Sequence, residues 1–168
     1  MPRLIPRHEA LSLIRQQGGN YDCLMCALRD LRFGPNLVLY SDPRALVILP
    51  RYVRRWGHIL LILRDHVTSF RQVNDDDWAA LCALSLRASR AAERALRPRR
   101  CYVASTGSSG GELTQTSEHL HIHVIPIHDP DDRPASIFSW TEGLWVADDD
   151  EWQELLSRLK NAWDQAAG

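Results

Sequence analysis

The chain has 168 residues, 45% of them apolar, which is enough for an unassisted hydrophobic core and fits one domain spanning 1–168. A formal charge of −1 argues against a partner that is a nucleic-acid polymer, although 17 Arg face 9 Asp and Glu through Arg100 and 3 Lys and Arg face 12 afterwards. Charges at Arg3, Arg7, Glu9 and Arg15 leave no N-terminal apolar run for a signal peptide or membrane span, and four scattered cysteines do not suit a secreted disulfide scaffold, so a reducing cytoplasm is the expected compartment.

Residues 22–32 carry Leu24, Met25, Leu28 and Leu31 at helical spacing before Gly34-Pro35, which predicts a short helix beginning at Cys23-x-x-Cys26. Two apolar runs, 37–40 and 45–49, flank Ser41-Asp42-Pro43-Arg44 and predict a hairpin; 58–63 is a third strand. Asn74 followed by three aspartates supplies cap acceptors and negative charge at a helix start, and the helix is expected to run to about Leu96, before Pro98. Its arginines, Arg87, Arg90, Arg94 and Arg97, are expected on a solvated face, and Cys82 and Cys101 in core settings as inert thiols. Strands at 101–105 and 120–125 and a terminal helix over 150–166 complete an α+β fold: a mostly antiparallel five-stranded sheet, one long central helix, a short N-terminal helix and a C-terminal helix.

The most informative stretch is His119-Leu120-His121-Ile122-His123-Val124. Alternation along a strand puts the three histidines on one side and the apolar residues on the core side. At about 3.3 Å per residue the outer two histidines stand roughly 13 Å apart, too far to share one metal ion, so a single three-histidine site is disfavoured. A row of imidazoles can bind phosphate, relay a proton or attack an electrophile.

Followed by Ile125-Pro126, this row resembles the motif of the histidine-triad (HIT) family; upstream, Leu46-Val47-Ile48, Gly57-His58-Ile59-Leu60-Leu61-Ile62 and His66 match the family's order and spacing. The resemblance covers about 21–126 and leaves the first 20 residues and a C-terminal extension, 127–168, without assignment. It implies that His121 is the nucleophile toward the α-phosphorus of a nucleotide derivative (a phosphoanhydride, phosphoramidate or dinucleoside polyphosphate). A nucleotidyl-histidine intermediate would then be resolved by water or another acceptor. It further implies that His123 and His58 hydrogen-bond around the phosphate and leaving atom, that Gln115 and Thr116 contact phosphate or leaving group, and that the protein is a homodimer. A backbone carbonyl could hold the proton of the second His121 nitrogen.

By itself Cys23-x-x-Cys26 fits a redox pair, two core thiols or half a metal site. The resemblance points to the zinc-carrying members, whose ligands fall at Cys23, Cys26, His66 and His119, a closed Cys2His2 set for structural Zn2+.

Two departures concern the nucleoside side. Pro50 stands where the family places a ribose-binding Asp, and the Gly/Ser stretch 105–114 is longer than the usual loop and lacks its Asn and the Gly before Gln. Arg51, with Arg54 and Arg55, is a candidate to bind an anionic substrate instead, or a charged connector. The lost carboxylate also suggests an alternative, a non-enzymatic nucleotide-binding or interaction protein on the same fold. Trp140, Trp145, Trp152 and Trp163 are expected to close an interface, cap a pocket or pack the core.

Overall fold

A computed structural model of the chain describes residues 1–33, 37–107, 113 and 115–166. In order, its elements are β1 (Arg3–Ile5), α1 (Arg7–Gly18), α2 (Leu24–Arg29), β2 (Val38–Ser41), β3 (Ala45–Ile48), β4 (Ile59–Leu63), α3 (Asp75–Leu96), β5 (Arg100–Ala104), β6 (His121–Ile127), α4 (Pro134–Ser139), β7 (Leu144–Val146) and α5 (Asp149–Gln165). Five strands form one antiparallel sheet in the order β2-β3-β4-β6-β5, while β1 and β7 pair antiparallel as a separate ribbon. The expected α+β architecture is therefore present. The expected stop at Gly34-Pro35 and most of the Gly/Ser stretch lie outside the described residues.

Local chemistry sets the long helices. Asn74 accepts from the Asp77 backbone N–H at 2.8 Å and three aspartates fill the first turn of α3, and α5 begins with a capping box between Asp148 and Glu151. These two helices cover one face of the sheet, where Ile59, Leu61, Ile122 and Val124 meet Leu81, Ala88, Trp152 and Leu159. The arginine face of α3 is not simply solvated: Arg87 stacks 4.5 Å over the Trp163 ring and donates to its carbonyl, and Arg94 donates to Gln165. Cys82 is exposed rather than set in the core.

The opposite face was expected to be polar, and it is buried as well. In the β4–β6 register Leu60 lies opposite His123 and Ile62 opposite His121, so these histidines share a layer with Leu46, Ile48, Leu60 and Ile62. That layer is roofed by Ala10 and Ile14 of α1 and by Leu24, Met25 and Ala27 of α2. Burial on both sides explains why β3 and β4 read as continuous apolar runs. The first 20 residues, unassigned from the sequence, thus form a strand and a helix that close the histidine face. Among the described residues no helix is long and apolar enough to cross a membrane.

Candidate active site

Gly57 sets the entry to the site. Its φ of 88° lies in the left-handed region, and a Cβ there would stand 2.2 Å from Leu96 Cδ1, so the turn before His58 requires glycine. His58, His121 and His123 are 3%, 2% and 5% exposed and form one relay. His121 Nδ1 lies 2.7 Å from the His119 carbonyl. A carbonyl only accepts, so Nδ1 carries the proton, and in the neutral ring Nε2 carries the lone pair. The 3.0 Å contact from His121 Nε2 to His123 Nε2 then makes His123 the donor, and His123 Nδ1 accepts from His58 Nε2 at 3.0 Å. Thr106 Oγ1 also lies 2.9 Å from His123 Nε2.

Every contact of this relay is satisfied with neutral rings, and the surroundings favour that state. Burial, reinforced by the Arg54 charge, holds the His121 ring down to about 4. Burial and Arg54 likewise hold His58 and His123 well below the usual imidazole range.

His119 leaves the row. It precedes β6, and its neighbour Leu120 donates its backbone N–H to Val67, so a continuous six-residue strand with evenly spaced histidines does not form. Its Nε2–H donates to the Leu63 carbonyl at 3.0 Å, which leaves the Nδ1 lone pair directed at Cys26 Sγ, 3.5 Å away. His66 Nδ1 is 3.1 Å from the same sulfur. The ligand atoms of Cys23, Cys26, His66 and His119 all lie within 4.8 Å of one another. Two thiols and two imidazole lone pairs converging at this spacing fit a tetrahedral metal ion, and the Leu63 carbonyl behind His119 is the outer support such ligands use. Without a cation, burial and the neighbouring Cys23 push the Cys26 thiol up to about 11; a bound divalent ion reverses that preference.

Two adjoining cavities reach the histidines. The larger, about 560 Å³, is lined by Thr106, Gln115, Ser117, His121, His123 and Phe138 among others. The smaller, about 60 Å³, is an apolar slot that includes Ile14, Pro50, Arg51, Tyr52, His58 and Leu144. Arg54, His123 and Trp140 line both. Gln115 is buried, donates to the Gly19 carbonyl at 3.4 Å and keeps its Oε1 free of partners among the described residues. The Thr116 backbone bridges to Cys23, exchanging hydrogen bonds with Asp22 and Leu24 and tying the cysteine turn to the approach to β6; the neighbouring Ser117 is the residue that lines the cavity. Pro50 lines the slot, and the adjacent Arg51 donates to Asp149 at 2.7 Å.

The three neighbouring arginines have separate fates. Arg55 pairs with Asp132 and Glu142. Arg54 is held between the rings of Phe138 and Trp140, 5.3 and 5.5 Å from their centroids. The sequence carried the Arg54 signal as part of the arginine run before Gly57-His58, the Thr106 signal within the Gly/Ser stretch and the Trp140 signal as a pocket-capping candidate, but Phe138 enters through tertiary packing alone. Of the tryptophans, Trp140 lines the cavities, whereas Trp152 and Trp163 are core residues.

An antiparallel five-stranded sheet carrying three linked imidazoles beside a Cys2His2 cluster defines a protein class. The HIT domain matches residues 34–129, and the chain belongs to the HIT family. It is 27% identical to an uncharacterised HIT-like protein of Saccharolobus solfataricus over 65% of this chain and 78% of that protein. It is also 29% identical to the AP-4-A phosphorylase of Mycobacterium tuberculosis over 54% of this chain and 46% of that enzyme. A Zn-bound histidine triad family protein from Mycobacterium smegmatis superposes with a TM-score of 0.61 and 25% identity, covering 85% of this chain and 94% of the other.

Proposed function

We propose that this protein is a nucleotide hydrolase or nucleotidyltransferase that cleaves at the α-phosphate of a nucleoside 5'-phosphate derivative. The observation that carries this reading is the His121 ring, which keeps its proton on Nδ1 against the His119 carbonyl and leaves a lone pair on Nε2 beside the larger cavity. Nε2 attacks the phosphorus; a P–N bond forms while the P–O or P–N bond to the leaving group breaks and that group takes the electron pair. The His123 Nε2–H and the Thr106 hydroxyl, 2.9 Å apart, stand where charge develops on the oxygens, and His58 fixes the orientation of the His123 ring. Water or another acceptor then attacks the nucleotidyl-histidine and returns the electron pair to His121. Gln115 supplies a further polar contact from the cavity wall, and Arg51 stands at the slot. Kinship with an AP-4-A phosphorylase supports a nucleotide-type substrate.

Cys23, Cys26, His66 and His119 hold a structural Zn2+, a reading supported by their convergence and by the zinc-bound mycobacterial relative. Four protein ligands leave no open position, so the ion's chemistry is to fix α2 against the approach to β6. The chain acts as a homodimer with sheets joined through β5, an edge strand on which Val103 is exposed. Light scattering at micromolar concentration tests this, and a monomeric mass overturns it.

The decisive experiment is brief incubation with a nucleotide substrate, acid quench and peptide mass spectrometry. A nucleotidyl adduct on the His121 peptide is expected, and cleavage that survives His121→Ala removes the mechanism. Pro50 in the slot favours the second reading, a nucleotide-binding protein without turnover. Nucleotide binding without product or adduct would establish it.

A further inference from the structure

Among the described residues Arg54 enters this site without a counter-charge. Its side chain belongs to a residue only 8% exposed, and Nε and Nη1 make no hydrogen bond among the described residues. The nearby carboxylates serve its neighbours: Asp132 and Glu142 pair with Arg55, and Asp149 with Arg51. What surrounds Arg54 is the two aromatic rings of Phe138 and Trp140, and His58, His121 and His123 line the cavities it shares. A desolvated, unpaired guanidinium is unfavourable in the free protein, and the natural relief is an anion delivered by a ligand.

The shape of the site says which kind of anion. Among the described residues neither cavity has an Asp or Glu in its lining, and the larger one adds Arg7 to Arg54. At about 560 Å³ that chamber far exceeds the space of one phosphate group. At the attacked phosphorus, donors are already provided by His123 and Thr106. Arg54 still has N–H donors at Nε and Nη1 with no acceptor among the described residues, on a charged planar group of the kind that suits phosphate oxygens.

The geometry points to Arg54 as a specificity-determining residue that binds a phosphate group adjacent to the one attacked by His121, and so selects polyphosphate substrates over those with an uncharged leaving group. This inference rests on the α-phosphate reading given above and narrows it.

The test has a binding arm independent of turnover. Calorimetric titration with inorganic tripolyphosphate should show binding to the wild-type protein, weakened about 30-fold in Arg54→Met and less in Arg54→Lys, as loss of a charge-assisted hydrogen bond predicts. In the turnover arm, kcat/KM for a dinucleoside tetraphosphate should fall at least about tenfold more in Arg54→Met than kcat/KM for a nucleoside phosphoramidate with a neutral amine leaving group. Ligand-free Arg54→Met should melt at or above the wild-type temperature, because an unpaired buried charge is removed. Failure of the wild type to bind tripolyphosphate overturns the proposal. So does an equal loss on both substrates, or a lowered melting temperature with unchanged tripolyphosphate affinity, which would make Arg54 a packing residue. Arg54-dependent tripolyphosphate binding in a protein that cleaves nothing would uphold the anion site and sink the nucleophile reading alone.

Discussion

The carbonyl oxygen of His119 accepts the Nδ1–H of His121 at 2.7 Å, so a residue whose ring faces Cys26 fixes the tautomer of the ring beside the cavity. Backbone and side chain of one residue thereby serve two neighbouring sites. A displacement of the His119 backbone would therefore reach His121 through this hydrogen bond.

Removal of the metal ligands tests that link. Cys23→Ala and Cys26→Ala should each lose the roughly one zinc per chain expected of a closed Cys2His2 site and melt at a lower temperature. Where the variant remains folded, activity should fall by about 10- to 100-fold, the usual scale for disturbed outer support. Elemental analysis and thermal melting give the first result, and steady-state kinetics the second. If other divalent ions restored activity to stripped but folded protein, the ion would be catalytic rather than structural.

His121→Ala should lower turnover on the order of 10³-fold or more and abolish the adduct, since no other group replaces the nucleophile. His123→Ala should cost about 10²- to 10³-fold through lost charge stabilisation while the adduct still forms slowly. Single-turnover kinetics with mass detection separates the two effects; equal adduct levels in His121→Ala and wild type would contradict the assignment.

The pH dependence has a defined sign. His121 is held down to about 4 from an ordinary 6.5, so between those values the unfolded chain binds the proton and the folded chain does not. Stability is fully present above about 6.5 and is lost as pH falls through about 4, and the depressed His58 and His123 act in the same direction. Denaturant midpoints should therefore decline from pH 7 to 4. The acid limb of kcat/KM should fall near 4, and a limb centred at 6.5 would mean that the nucleophile is not buried as described.

Gly57→Ala should destabilise by roughly 1–3 kcal/mol from left-handed backbone strain and the clash with Leu96. Urea unfolding measures it. A neutral substitution would show that the turn before His58 relaxes freely.

Much of this was legible in local chemistry. The Asn74 cap, the apolar runs of β3 and β4 and the alternation around His121 each state their element within a few residues. Less legible was anything set by distant pairing. Residues 3–5 look like a charged terminus until β7 supplies a partner, and the histidine face reads as polar until α1 and α2 cover it. His119 was separable from the triad only through Cys23 and Cys26, far away in sequence. Arg54 could not be told from Arg51 and Arg55 because their difference lies in which carboxylates come near each one.

The ribbon of β1 and β7 sets the order in which the molecule can be assembled. It joins Arg3 to Val146 near opposite ends of the chain, and Trp145 of β7 exchanges backbone hydrogen bonds with Val53, next to Arg54. Closing so long a loop loses more chain entropy than any hairpin of the main sheet, so this contact forms late. In a chain synthesised from its N-terminus His121 and His123 are made before Phe138 and Trp140, so the reactive histidines precede the rings that flank Arg54.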